Sequence, residues 1–356
     1  MYSASEKKFL TINLIAIITL FALILAGGIV RSSGSGMGCP DWPKCFDKFI
    51  PPTNSSQLPP NYQQKYVEGR VMKNERFART LDLFGYGKMA NQIRSDKSIL
   101  KPEEFNAAKT WTEYINRLIG AAYGFVLILC FIFSFAYLRT DKSIFFLSLL
   151  NIILVGFQGW MGSIVVSTNL LAWIVTVHML LAMVILAISI YTYFKAQLLG
   201  NRKLIFNRPA TMRIVAIFAV LLTLLQIVLG TEVREQIDAV SSAVNHINRS
   251  EWVAKTGIEF NYHRDLAGLI LLVNVIIFLM LRRSFPRTSY QYKFIVYVLL
   301  LLIVQLITGL ILSYYSLPPI AQAIHILLAT LLFGAQFYLF LILKRNNLDH
   351  TQIRLG

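Results

Sequence analysis

Three of the chain's five histidines, His178, His263 and His325, stand at the edges of or inside long apolar runs. An ionisable side chain is costly in hydrocarbon and by default marks a function there. Each of the three lies within a couple of helical turns of the same end of its run, so at about 1.5 Å per residue they share one depth. Neutral imidazole is the commonest side-chain metal ligand. Two imidazoles facing each other across a helical bundle suit the axial positions of a haem iron, and His263 with His325 makes such a pair. The competing reading is a histidine hydrogen-bonded in a packed core, which applies most strongly to one that stands alone.

Other residues with chemical potential lie near these positions. Arg117 and Arg264 follow positions 116 and 263, and Arg31 and Arg234 close two further apolar runs. These arginines either pair with haem propionates near the membrane surface or snorkel to the interface. Gly162 and Gly309 either admit a flat macrocycle to the backbone or allow close helix packing. Glu113 precedes Asn116 by three residues and so shares its helix face. A carboxylate there serves as a general base or stabilises developing positive charge, or else it is an acid near a helix start, where the macrodipole favours it. Glu259 lies one turn before His263 and has the same two readings.

Cys39 and Cys45 bracket "GCPDWPKC". The two prolines between them turn the chain back enough for a disulfide, whose Cα atoms sit about 4.4–6.8 Å apart. Such a bridge is either a structural staple or a redox pair, and both require an oxidising compartment. No second Cys or His pair lies nearby, so the spacing is wrong for zinc. Cys130, inside an apolar run, reads as packing, while His246 and His350 read as solvated.

The elements that must position these residues follow from the hydropathy pattern. The chain has 356 residues, 56% of them hydrophobic, with its charges clustered between apolar runs. Runs of roughly 18 or more apolar residues span a bilayer. They occupy about 9–30, 118–138, 144–166, 170–194, 212–231, 265–281, 294–315 and 319–343, which predicts an all-α polytopic membrane protein with eight transmembrane helices. The first run is too long for a signal-peptide core and lacks a small-residue cleavage pattern, so it reads as a retained helix.

The net charge of +16 raises nucleic acid as a partner, but its placement speaks for topology instead. Lys7, Lys8, Arg139, Lys142, Lys195, Arg282, Arg283, Lys293 and the clusters at 202–213 and 344–345 fall on one side if the spans alternate. Short basic loops mark the cytoplasmic face. Both termini are therefore expected in the cytoplasm, with segments 32–110 and 232–258 outside and the histidines toward the outer leaflet of a bacterial plasma membrane.

The chain also repeats itself. An offset of 147 residues carries Asn116–Arg117 onto His263–Arg264, Gln158 onto Gln305, Gly162 onto Gly309, and His178 onto His325. "GGIVR" at 27–31 answers "GTEVR" at 230–234. Two four-helix bundles in one orientation, residues 1–200 and 201–356, related by a pseudo-twofold along the membrane normal, are the predicted architecture. Within this frame Asn116 takes the place of His263, and Phe260 takes the place of Glu113.

The whole chain resembles the haem A synthase family in "GGIVRSSGSGMGCPDWPKC", "WTEYINRLIG", "VVSTNLLAWIVTVHMLLA", "GTEVR", "HRDLA" and "HILLA". The resemblance implies oxidation of a methyl group of haem O to the formyl group of haem A, for cytochrome oxidase. It also implies haem B in the C-terminal half and the substrate haem in the N-terminal half. The family pattern Glu-x-x-His-Arg here reads Glu113, Tyr114, Ile115, Asn116, Arg117. An amide is a poor iron ligand beside imidazole, so His178 is expected to hold the substrate iron alone, with Glu113 as the catalytic carboxylate. Haem O synthase, an electron donor and a second copy of the chain are the partners implied. The other classes are a di-haem cytochrome b-like carrier, against which the missing fourth histidine speaks, and a transporter. A transporter would need a polar path through the inner halves of the spans, which the sequence lacks.

Overall fold

The computed structural model describes residues 3–102, 104–200, 210–245 and 247–343; His246, His350 and the basic residues Arg202, Lys203, Arg208, Lys344 and Arg345 lie outside them. Ten α-helices form among the described residues: α1 (Ala4–Ser32), α2 (Tyr62–Leu83), α3 (Gly87–Ser95), α4 (Ala107–Ser134), α5 (Lys142–Ser167), α6 (Ala172–Gly200), α7 (Ala210–Ala243), α8 (Ile258–Ser284), α9 (Tyr290–Tyr314) and α10 (Pro319–Ile342). All but α2 and α3 are long and apolar enough to cross a bilayer, giving the eight expected spans of an all-α polytopic membrane protein.

Local chemistry sets the helix starts. Ser3 and Glu6 form a reciprocal capping box on α1. Asn106, Asp141 and Ser289 cap α4, α5 and α9 with their side chains. Several helices run further outward than their apolar cores. α4 begins at Ala107 and α8 at Ile258, while α7 continues to Ala243. Hydropathy detects only the hydrocarbon-embedded part of a helix, and these extensions carry polar residues above it.

The internal repeat is written into the backbone. Asn169 and Leu170, between α5 and α6, are left-handed at φ 52° and 63°; Ser316 and Leu317, at the same offset between α9 and α10, are left-handed at 58° and 55°. Non-glycine residues seldom adopt this conformation, so two consecutive pairs mark one turn used twice. Helix packing repeats as well: α1 on α4 as α7 on α8, α4 on α5 as α8 on α9, α5 on α6 as α9 on α10. Between the halves, α1 packs on α10 as α7 does on α6, and α6 packs on α10; within them, α1 packs on α6 as α7 does on α10.

Close approach and buried polar pairs hold the bundle together, because lipid offers no hydrophobic drive between helices. A Cβ on Gly28 would stand 3.1 Å from the Ala323 Cα. At the corresponding crossing the Thr176 and Thr231 hydroxyls are 2.8 Å apart. The Asn151 amide donates to Ser189 at 2.9 Å, joining α5 to α6. Thr223, Gln336 and Asn274 link α7, α10 and α8 at 2.7 and 3.2 Å. These buried groups are largely absorbed in pairing helices.

The segment between α1 and α4, expected only as a long outer loop, folds into a cap. Phe77 of α2 packs with Met161, Ile164 and Ile174 at the outer ends of α5 and α6, and Asn74 donates to the Ser167 carbonyl at 2.8 Å. Cys39 and Cys45 are bridged, with Cα atoms 4.9 Å apart. After the bridge, Phe46 and Asp47 are left-handed at φ 55° and 62°. The Asp41 carboxylate accepts both of their N–H groups, at 2.6 and 2.8 Å, and so offsets that strain. Gly38 fits where no side chain can, since a Cβ there would lie 2.5 Å from the Lys109 carbonyl oxygen. Gly38→Ala is therefore expected to cost about 1–3 kcal/mol, read as a lower thermal midpoint in detergent together with increased thiol labelling at Cys39 and Cys45. A midpoint equal to wild type would mean that the loop does not seat on α4 in this way.

Candidate functional site

Polar residues at the outer turn of α4 organise the first half. Glu113 is 3% exposed. One of its oxygens accepts the Cys39 N–H at 2.7 Å, and the other pairs with the Arg117 guanidinium at 2.5 Å. Arg117 also donates to the carbonyls of Asp41 at 2.6 Å, Lys44 at 2.9 Å and Cys39 at 2.9 Å. The two side chains, one helical turn apart, thus clamp the disulfide loop onto α4. Any propionate approaching Arg117 would compete with four hydrogen bonds already made.

The remaining arginines differ in setting. Arg31 of α1 and Arg234 of α7, equivalent in the repeat, meet at one carboxylate, Asp238. The Arg31–Asp238 pair joins α1 to α7 and so bridges the two halves, while Arg234 also reaches Gln322 of α10 within the second half. The sequence reading missed Asp238, although its place four residues after Arg234 on one helix was a usable signal. Arg264 has a side chain 61% exposed and, among the described residues, pairs with neighbouring Asp265 at 3.0 Å, which fits an interfacial arginine.

In the second half the structure brings His263 of α8 and His325 of α10 together, ring centroids 6.4 Å apart. Two metal–imidazole bonds of about 2 Å, with each ring centre roughly 1 Å behind its nitrogen, put rings that share a metal about 6 Å apart. The hydrogen bonds around His325 also select a tautomer. The Thr308 hydroxyl donates to the Gln305 carbonyl at 2.8 Å and so accepts from His325 Nδ1, also at 2.8 Å. Nε2 is left with its lone pair, 3.2 Å from the Gln305 amide nitrogen, which can donate to it. Holding the second ring nitrogen in this way is what metal-ligating histidines ordinarily require. Gln226 serves His263, donating to its carbonyl at 2.8 Å. A Cβ on Gly230 would lie 3.2 Å from His263 Cε1 and one on Gly309 3.4 Å from His325 Cε1, so both glycines make room for the rings. The ring spacing and the His325 tautomer therefore fit a haem iron between the two histidines.

The first half repeats the frame with different chemistry. The Gln158 amide donates to the His178 carbonyl at 2.7 Å, and a Cβ on Gly162 would stand 3.5 Å from His178 Cε1. Gly27 faces Asn116 as Gly230 faces His263. Met161 stands where Thr308 stands; among the described residues His178 Nδ1 and Asn116 Oδ1 are buried without a partner, as is His263 Nδ1 in the second half. Unpartnered buried polar atoms cost free energy, so their position inside a bundle fits a polar ligand that docks there. Roles for Thr308, Gln226 and Gln305 were not read from the sequence; the signal was the i to i+3 pair Gln305 and Thr308 one residue before Gly309.

Fold and site together define a duplicated eight-span membrane protein with paired imidazoles in one half and a histidine set against an amide in the other. The profile of the cytochrome oxidase assembly protein family, COX15-CtaA, matches residues 11–80 and 96–337, and the chain belongs to that family. It is similar to proteins named heme A synthase. One from Rickettsia rickettsii (strain Sheila Smith) is 25% identical across 97% of this chain and 99% of its own length. One from Flavobacterium johnsoniae is 24% identical across 94% and 97%. One from Shewanella oneidensis is 24% identical across 68% and 62%.

Removing one member of the Glu113–Arg117 pair tests the clamp. Arg117→Ala leaves a buried carboxylate without its cation, a loss of about 3–5 kcal/mol, and should make the 39–45 loop sensitive to protease. Glu113→Gln, whose amide oxygen still accepts the Cys39 N–H, should lose much less. Equal thermal midpoints for the two variants would contradict this ranking.

Proposed function

We propose that the chain oxidises a methyl group of haem O to the formyl group of haem A, with haem O bound as substrate in the first half and haem B resident in the second. The observation that carries the assignment is the contrast between the two sites: a pair of imidazoles with centroids 6.4 Å apart in one, a single imidazole and Asn116 in the other. A di-haem electron carrier would want a fourth strong ligand at position 116, so its case is the weaker one.

Haem B, when bound, supplies a one-electron carrier. His263 and His325 are the residues that would hold it. Thr308 fixes the His325 tautomer, Gln226 braces the α8 turn that carries His263, and the Gln305 amide, which faces His325 Nε2 here, would give up that lone pair to iron. In the substrate half His178 supplies one strong ligand, and Asn116 leaves the opposite side of the substrate iron weakly held. Glu113 is fixed by Arg117 and the Cys39 N–H, yet a carboxylate has about four lone-pair positions. It retains capacity to accept a proton or to stabilise positive charge as the methyl carbon is oxidised. The disulfide-closed cap covers only this half, limiting water where the chemistry occurs. The short basic segments orient both termini to the cytoplasm of a bacterial plasma membrane, with both haem sites toward the outer leaflet. The enzyme that makes haem O and an electron donor are the partners this chemistry calls for.

Expression in a host that makes haem O, followed by chromatography of the extracted haems, tests the activity. Wild type should accumulate haem A. Glu113→Gln should stall at haem O or a hydroxylated form while keeping the low-spin spectrum of the second half, and haem A at the wild-type level would remove Glu113 from the chemistry. For the resident haem, His325→Ala should abolish the low-spin spectrum. Thr308→Val should keep the haem bound but weaken its affinity about 10–100-fold and shift its midpoint potential. An unshifted potential would mean that Thr308 does not act on the ligand.

A further inference from the structure

Beneath the cap lies a cavity of about 190 Å³, walled by Asp41 and Trp42 of the disulfide loop, Arg70 and Lys73 of α2, and Ser163 and Ser167 of α5. Two neighbours place it at the outer rim of the first-half site. Ser163 follows Gly162, which lies against His178, and the Asp41 carbonyl holds Arg117, the residue after Asn116. Among the described residues α2 has no counterpart between α7 and α8, so the second half has no cavity built on such a helix.

The charges in the wall are unevenly matched. The Asp41 carboxylate is committed to the N–H groups of Phe46 and Asp47, and Arg70 donates to the Lys101 carbonyl at 2.8 Å. Lys73 is half-buried and has no hydrogen-bond or ion-pair partner among the described residues. Burial, and then the nearby Arg117 guanidinium, push its pKa below the ordinary lysine value. An anion in the cavity relieves both penalties. The volume falls below the roughly 300 Å³ at which pockets for drug-sized ligands begin, so it suits an anionic side arm and excludes a macrocycle.

We propose that this cavity receives a propionate carboxylate of the substrate haem, with Lys73 as its counter-ion. This rests on the first half being the haem O site and adds to it a residue that reads the substrate's acidic edge. A carboxylate on a free small acid or an anionic lipid headgroup offers similar oxygens, and the test separates these sources.

The test uses the full-length protein in nanodiscs of phosphatidylcholine alone, which removes anionic lipid, and compares wild type, Lys73→Met and Lys73→Arg. Haem O and its dimethyl ester are titrated in by absorption, with the low-spin signal of the second half as the control for folding. Wild type should bind haem O at least about tenfold more tightly than the ester, as expected for a charged hydrogen bond. Lys73→Met should lose that preference, and Lys73→Arg should keep most of it. Added acetate at millimolar concentration should leave the wild-type preference in place. The proposal is overturned if Lys73→Met still discriminates like wild type, if wild type shows a preference only after phosphatidylglycerol is added, or if acetate abolishes the preference. If wild type binds neither compound in the first half, the haem O reading fails and this proposal fails with it.

Discussion

One buried ion pair makes the two halves different. Glu113 and Arg117 face one another on a single turn of α4, and between them they bind the Cys39 N–H and the carbonyls of Cys39, Asp41 and Lys44. Glu113 alone would be a poorly tolerated charge at that depth, whereas Arg117 also has three loop carbonyls; together with the loop they form a satisfied polar network. The disulfide shortens the loop so that its carbonyls converge on one guanidinium, and the cap formed by α2 rests on the outer ends of α5 and α6. The second half carries Phe260 in place of the acid, and there the clamp has no counterpart.

The second half invests its polar groups differently. Thr308 fixes the tautomer of His325, and Gln226 braces the turn of α8 that carries His263. Under the proposed reading, these contacts would hold a ligand pair for a resident electron-transfer haem. In the first half Met161 replaces Thr308 and Asn116 replaces His263, so the ring of His178 lacks the hydroxyl that holds His325. On that same reading, such a site would suit a haem that must enter, react and leave. Arg31, Arg234 and Asp238 join α1 of one half to α7 of the other.

Much of this was legible in the sequence because the signals were periodic or repeated. The eight apolar runs, the 147-residue offset, the three histidines at one depth and the Cys39–Cys45 bridge all followed from spacing. Features that depend on partners brought together by folding were not legible. Nothing in "EYINR" says that Arg117 is saturated by carbonyls, because those carbonyls belong to a loop more than seventy residues earlier. The cap helices were hidden because α2 is polar along most of its length and packs through a few residues such as Phe77. The polar triad Thr223, Asn274 and Gln336 was hidden because each member is isolated in an apolar run, and only helix packing reveals that they meet. Asp238 was passed over as one charge in an acidic outer segment, though it closes the contact between the two halves.

The central claim is that one half keeps a haem while the other exchanges it. Its most direct test is to add haem O to purified protein that already holds haem B and to follow both by electron paramagnetic resonance. The account predicts that the resident low-spin signal persists unchanged, while the added haem gives a separate, weakly ligated signal that His178→Ala removes. A second bis-imidazole low-spin signal from the added haem, or displacement of the resident haem B, would contradict it.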